Sequence, residues 1–221
     1  MNRQIHILNT RESMRMKNLV IGIGSVLLFS FSALAEENEA PRMETFLGYT
    51  FTRANSATNI PAFSANGGSG QFVYNFNNWL GAVADMGAVH NGNIHGISLD
   101  STAANFLLGP RVAVRKWSRV TPYFQTLFGG VYATTSTAVP ELELTEGLPV
   151  GFNLRATRAQ TAFAMTAGGG LDIKMSKHVS FRPVQIEYFL TRLHDYRSAT
   201  DNTQNNIRYS AGFNFTFGEA Q

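Results

Sequence analysis

The stretch from Tyr209 to Phe217, Y-S-A-G-F-N-F-T-F, alternates strictly: Tyr209, Ala211, Phe213, Phe215 and Phe217 share one face and Ser210, Gly212, Asn214 and Thr216 the other. A period of two marks a β-strand with one apolar and one polar face. Whether the aromatic face meets a protein core or lipid decides what the chain can fold into.

The start of the chain narrows the choice. Leu19 to Ser32 is an apolar run preceded by Arg11, Arg15 and Lys17 and followed by Ala33-Leu34-Ala35. This is the pattern of a secretory signal peptide cleaved after Ala35. As a membrane anchor the run is too short, since it would rise only about 21 Å as a helix against a hydrocarbon core of about 30 Å. Met14 or Met16 would serve as a start equally well. The expected organisation is therefore a signal peptide over 1–35 and one domain over 36–221. Residues 1–35 hold four of the 18 basic and one of the 15 acidic residues, so the remainder carries no net charge. The basic pI belongs to the targeting segment, and nucleic acid is not an expected partner. With no cysteine, an exported chain has no disulfide framework and no thiolate chemistry.

Residues 36–221 contain eight segments of strand periodicity. They run near 42–53, 69–76, 80–89, 102–115, 121–134, 160–174, 179–193 and 209–217. Leu47, Tyr49 and Phe51 oppose Glu44, Gly48 and Thr52; Phe72 and Tyr74 oppose Gln71 and Asn75; Phe106 and Leu108 oppose Gly109, Arg111 and Arg115. In the seventh segment the parity of Val179 and Phe181 conflicts with that of Val184 onward. A β-bulge at Arg182-Pro183 would absorb the slip, because proline cannot donate to a ladder.

The connections alternate in length. Those near 77–79, 116–120 and 176–178 are short, and 54–68, 90–101, 135–159 and 194–204 are long and polar. An antiparallel meander then has tight turns at one rim and long loops at the other, as outer-membrane barrels do. A soluble ligand-binding barrel would instead turn the apolar parity inward. Against that alternative, the polar parity carries Gly48, Gly70, Gly81, Gly87, Gly109, Gly168, Gly170 and Gly212, which suit a crowded interior. Charged residues make up 15% of the chain, below the roughly 25% of soluble domains. Tyr49, Trp79, Tyr188 and Tyr209 fall toward segment ends, where interfacial girdles form. The fold class expected is all-β: an eight-stranded antiparallel transmembrane up-and-down β-barrel.

The segments F-L-G-Y-T-F, L-L-G-P-R-V-A-V-R, V-T-P-Y-F-Q-T-L-F-G-G, F-R-P-V-Q-I-E-Y-F-L-T-R and N-N-I-R-Y-S-A-G, in this order, resemble the OmpA-like eight-stranded outer-membrane β-barrel family from about Met43 to Phe217. The tail with Ser210, Gly212, Phe215 and Phe217 looks like the assembly signal of such barrels, followed here by Gly218-Glu219-Ala220-Gln221. The resemblance implies a bacterial outer-membrane protein that meets the barrel assembly machinery, outer-membrane lipids and lipopolysaccharide.

Asp85, Arg111, Asp172 and Glu187 fall on the polar parity and are expected to face the lumen as a charge network. An eight-stranded barrel has no room for an aqueous channel, so opposite charges there pair to fill the interior. The alternative is a gate that switches partners and leaks small ions. His178-Val179-Ser180 with Glu187 is similar to the arrangement in outer-membrane lipid A deacylases, but Glu187 lies nine residues on, about 30 Å along a strand. His90, His95 and His194 are too sparse for a metal site. Gly168-Gly169-Gly170 precedes no helix and so is no phosphate cradle; it permits close packing or bending of the wall. The loop Glu141 to Gly147, with Arg155 and Arg158, is the candidate surface for lipopolysaccharide, another cell or a phage.

The function expected is a small, monomeric, porin-like envelope protein, structural or surface-interacting through its long loops. No catalytic residue, cofactor or metal is implied. A lipid A-modifying hydrolase and a small solute pore are the alternatives.

Overall fold

The computed structural model describes residues 40–55, 62–92, 99–138, 155–194 and 201–218. The expected signal peptide, 1–35, lies outside them. Eight strands follow one another: β1 Met43–Ala54, β2 Phe63–Asn75, β3 Leu80–Asn91, β4 Leu99–Ala113, β5 Val120–Ala138, β6 Arg155–Lys174, β7 Val179–His194 and β8 Asp201–Phe217. Each pairs antiparallel with the next, and β8 pairs with β1 to close the barrel. Closure leaves no sheet edge along the wall, which a lipid environment demands of a strand-built span. Among the described residues no helix is long and apolar enough to cross a membrane.

The period-two pattern becomes two faces. Leu47, Tyr49, Phe72, Met86, Phe106, Phe128, Phe163, Ile186, Ile207 and Phe213 all lie exposed on the outside. Glu44, Gln71, Asp85, Arg111, Gln125, Thr166, Glu187 and Arg208, on the opposite parity, are buried inside. The soluble-barrel alternative is thereby excluded: its aromatic rings would be inside. The inner face is not uniformly polar, however. Val73, Val83, Leu107, Leu127, Val131, Ala164 and Phe189 form an apolar cluster within the barrel. A lumen too narrow for water is filled with whatever side chains fit, and each fully buried Leu or Phe contributes about 1.5–3 kcal/mol.

One glycine departs from the expected parity. Gly70 pairs with Leu47 and Met86, both on the outer surface, so it faces outward and not into the lumen. At Gly170 a side chain is barred, because a Cβ there would collide with the Tyr123 ring and its hydroxyl. Gly170 thus makes room for an inward tyrosine on the neighbouring strand.

The parity slip in β7 is a bulge. Arg182 pairs with Gly212 and Gln185 with Ser210, while on the other side Leu171 pairs with Val184 and Ile173 with Phe181. One extra β7 residue is accommodated against both neighbours, and Arg182 and Gln185 both point inward as a result.

The strands run further than the pattern suggested, so the connections at the long-loop rim shorten to 55–62, 92–98, 139–154 and 195–200. The difference has a simple cause. The polar ends of these strands, such as Thr134-Thr135-Ser136, show no apolar face, yet the β5–β6 ladder continues to Ala138 and Arg155. A membrane-spanning strand needs only about 9–11 residues, so the upper parts of β5 and β6, strands of 19 and 20 residues, stand beyond the hydrocarbon. At the opposite rim the turns remain tight. The Asn77 side chain accepts from the Trp79 and Leu80 amides at 3.0 and 2.8 Å, the local turn chemistry that asparagine supplies.

Candidate functional site

Four arginines and four carboxylates meet inside the barrel. Arg208 on β8 bridges two acids, with Nη2 at 2.6 Å from Glu187 on β7 and Nη1 at 3.0 Å from Asp85 on β3. Arg182, at the bulge, grips Asp172 through two bonds, Nε to Oδ1 at 2.7 Å and Nη2 to Oδ2 at 2.9 Å. Arg115 lies 2.8 Å from Glu44, and Arg111 reaches the same carboxylate at 4.0 Å. The charges cancel, which is what a low-dielectric interior requires of ionised groups.

Amides join these pairs into one network. Gln71 accepts from both Arg111 Nη2, at 2.6 Å, and Arg182 Nη1, at 2.8 Å, while its own amide donates to Asp85 at 2.9 Å. Gln125 accepts from Arg111 Nε at 2.9 Å and donates to Glu187 at 2.9 Å. Asn105 donates to Asp85 at 2.7 Å, and Asn75 and Asn214 each donate to Glu44 at 2.8 Å. Tyr123 stands between the two guanidinium groups, its ring centroid 4.1 Å from Arg111 and 4.6 Å from Arg182. Stacked, bonded and paired at once, these side chains hold one another in place.

Asp85, Arg111, Asp172 and Glu187 are all buried in this network. They do not pair with one another. Arg111 bonds chiefly to Gln71 and Gln125, and the three acids are held by Arg182 and Arg208, which the sequence pattern had not singled out. For Arg208 the signal was present, since it continues the inward parity of Ser210 and Gly212 by one step. For Arg182 it was hidden by the bulge.

Ser210, Gly212, Phe215 and Phe217 lie on β8 against β1. Gly48 faces Gly212 across the closing seam, and a Cβ on Gly212 would run into the Leu47 carbonyl and the Gly48 Cα. The strand ends at Phe217, and the next residue, Gly218, has a φ of 84°, one that favours glycine.

The other candidates do not assemble. His178 is exposed in a short turn, whereas Glu187 is fully buried and bound to Arg208 and Gln125. No group of three His, Asp or Glu able to hold a metal occurs among the described residues. His90 contacts Thr102 at 3.0 Å and Asp100 at 3.4 Å, all at the surface. His95, the side chain of His194, and the loop Glu141 to Gly147 lie outside the described residues, as does the side chain of Arg155.

On the outer wall, hydroxyls mark the ends of the apolar band. Tyr49 bonds Asn66 and Tyr188 bonds Asn205, each at 2.5 Å, toward the long-loop rim. Rings with a wet tip and an apolar body sit where hydrocarbon gives way to headgroups.

Comparison with known proteins agrees with this architecture. Among solved structures, the chain is similar to Neisserial surface protein A, with a TM-score of 0.56 at 13% identity, covering 82% of this chain and 100% of that one. Ail, the attachment invasion locus protein of Yersinia pestis, matches with a TM-score of 0.52 at 17% identity over 79% of this chain and 99% of that one. The outer membrane protein OprG from Pseudomonas aeruginosa matches with 0.51 at 15% identity, covering 82% and 98%. No curated protein matches the chain in sequence. The model of the outer membrane protein beta-barrel domain matches residues 21–218, nearly the whole length. The closed eight-stranded wall agrees with that match, and the chain belongs to the outer membrane protein beta-barrel domain family.

Proposed function

We propose that this outer-membrane barrel is a non-enzymatic envelope protein, structural or surface-interacting, which acts through its long-loop rim. The observation that supports this most is the filled interior: side chains from all eight strands are buried there, and each carboxylate is held by arginine. A nucleophile–base pair needs a free base within reach, and a pore needs a water path. The lumen carboxylates, each engaged by arginine, favour neither. The protein is exported by the signal peptide over 1–35 and is assembled as a monomer by the barrel machinery, which reads Ser210, Gly212, Phe215 and Phe217. Lipopolysaccharide surrounds the long-loop rim, with 139–154 as the principal contact segment.

The test compares cells bearing the native protein with cells bearing a barrel in which 139–154 is replaced by a short Asn-Gly turn. Binding of purified lipopolysaccharide should fall in the shortened form while its gel migration still changes on boiling. Equal binding by both would sink the surface role of that loop. Release of labelled acyl chains from lipid A, lost in Ser180→Ala, would overturn the non-enzymatic reading; stepwise conductance in planar bilayers, altered in Arg111→Ala, would overturn the filled interior.

A further inference from the structure

The three short turns differ in charge. Turn 76–79 reads F-N-N-W and has no ionisable group, whereas 114–119 reads V-R-K-W-S-R and 175–178 reads M-S-K-H directly after Lys174. None of the three contains an Asp or Glu. The two basic turns adjoin, since the Lys174 amide donates to the Arg119 carbonyl at 2.8 Å. At this mouth of the barrel opens a cavity of about 750 Å³ lined by Arg115, Trp117, Lys174, Lys177 and His178 from the two turns and by Glu44, Asn214 and Thr216 from the start of β1 and the end of β8; Arg119 and Met175, on the same turns, are exposed outside that lining.

Two carboxylates also border that cavity, but both are already neutralised: Glu44 by Arg115 at 2.8 Å and Asp172 by Arg182 at 2.7 Å. The lysines therefore set its sign. A partner for this rim is an anion.

What kind of anion follows from the apolar residues on the same turns. Trp117 is 54% and Met175 65% exposed, and Phe124 and Ile173 continue the exposed apolar surface onto the start of β5 and the end of β6. A tryptophan flanked by lysine and arginine above an apolar wall is the arrangement of side chains that sit at headgroup level. A soluble anion would leave these apolar groups unused, and a lipid would cover both parts.

We propose that this rim binds the headgroup phosphate of an anionic phospholipid in the periplasmic leaflet. Arg119, Lys174 and Lys177 hold the phosphate, and Trp117 and Met175 lie along the glycerol and the upper acyl region. Short turns face the periplasm in barrels of this kind, so the site lies opposite the long-loop rim and is independent of the surface role proposed there.

The experiment titrates the folded protein, residues 36–221 in a zwitterionic detergent, with phosphatidylglycerol, with phosphatidylcholine of the same acyl chains, and with glycerol 3-phosphate, following bound species by native mass spectrometry. Phosphatidylglycerol should bind at least about tenfold more tightly than phosphatidylcholine, and R119Q/K174Q/K177Q should abolish that preference. If the triple variant does not fold, Lys177→Gln alone, at an exposed turn position, should reduce the preference by about threefold or more. Equal binding of the two lipids by the native protein, or an undiminished preference in the folded variant, would overturn the proposal. Glycerol 3-phosphate binding as tightly as phosphatidylglycerol would also overturn it, by assigning the rim to a soluble anion.

Discussion

Arg208 and Asp85 face each other across the barrel, joined by two parallel hydrogen bonds, Nη1 to Oδ1 at 3.0 Å and Nη2 to Oδ2 at 3.1 Å. Their strands, β8 and β3, are not neighbours in the wall. The pair therefore acts as a strut through the lumen, and Glu187 completes it by taking the remaining edge of the same guanidinium.

Removing that strut from one side should be severe. Arg208→Met leaves Asp85 and Glu187 buried without a cation and is expected to cost about 3–5 kcal/mol of folding stability. Urea unfolding in lipid vesicles, read by gel migration, measures it. Adding Asp85→Asn and Glu187→Gln should recover part of the loss, because neutral amides no longer need the guanidinium.

The seam between β1 and β8 predicts a sharp contrast between glycines. Gly212→Ala puts a methyl group into the Leu47 carbonyl and the Gly48 Cα and should cost about 1–3 kcal/mol. In Gly130→Ala the new Cβ meets only the Ala162 carbonyl, at 3.6 Å, and should change stability by less than about 0.5 kcal/mol. The unfolding midpoints of the two variants, measured side by side, test the close approach at the seam.

Leu47 lies in the middle of the outward run of β1 from Met43 to Phe51. Placing Arg there exposes a charge to hydrocarbon and should cost about 2–4 kcal/mol in vesicles. Arg53→Gln, at the end of the same face and bonded to Ser64 at 2.9 Å, should be nearly neutral. Similar losses from both substitutions would contradict the lipid-facing assignment.

The bulge makes a prediction about length. Deleting Pro183 removes the extra residue, so Phe181, Arg182, Val184 and Gln185 then alternate out, in, out, in against both neighbours and neither flank exchanges its faces. The deletion variant should still give the compact, heat-modifiable form, and its failure to do so would contradict a one-residue bulge at this position. Tyr209→Phe, which removes only the hydroxyl donating to the Pro183 carbonyl at 2.6 Å, should fold and lose about 1 kcal/mol.

Much of this barrel was legible because alternation is a local property. Phe213, Phe215 and Phe217 against Ser210, Gly212 and Asn214 state their faces within a few residues, and the conflict between Phe181 and Val184 located the bulge before any coordinates. The upper halves of β5 and β6 were not legible, since beyond the hydrocarbon a strand has no apolar face and is held by its ladder alone. Gly70 was misplaced for a related reason: glycine has no side chain to declare a side, and only its pairing with Leu47 and Met86 shows where it points.

By itself, then, the sequence determined a wall of alternating strands, its apolar outside and the presence of ionised groups within. Tertiary structure alone decided which arginine meets which acid. Arg208 and Asp85 are 123 residues apart, and what brings them together is the stagger of the closed ladder and the width of the lumen. Those are properties of all eight strands at once, and no window of sequence contains them.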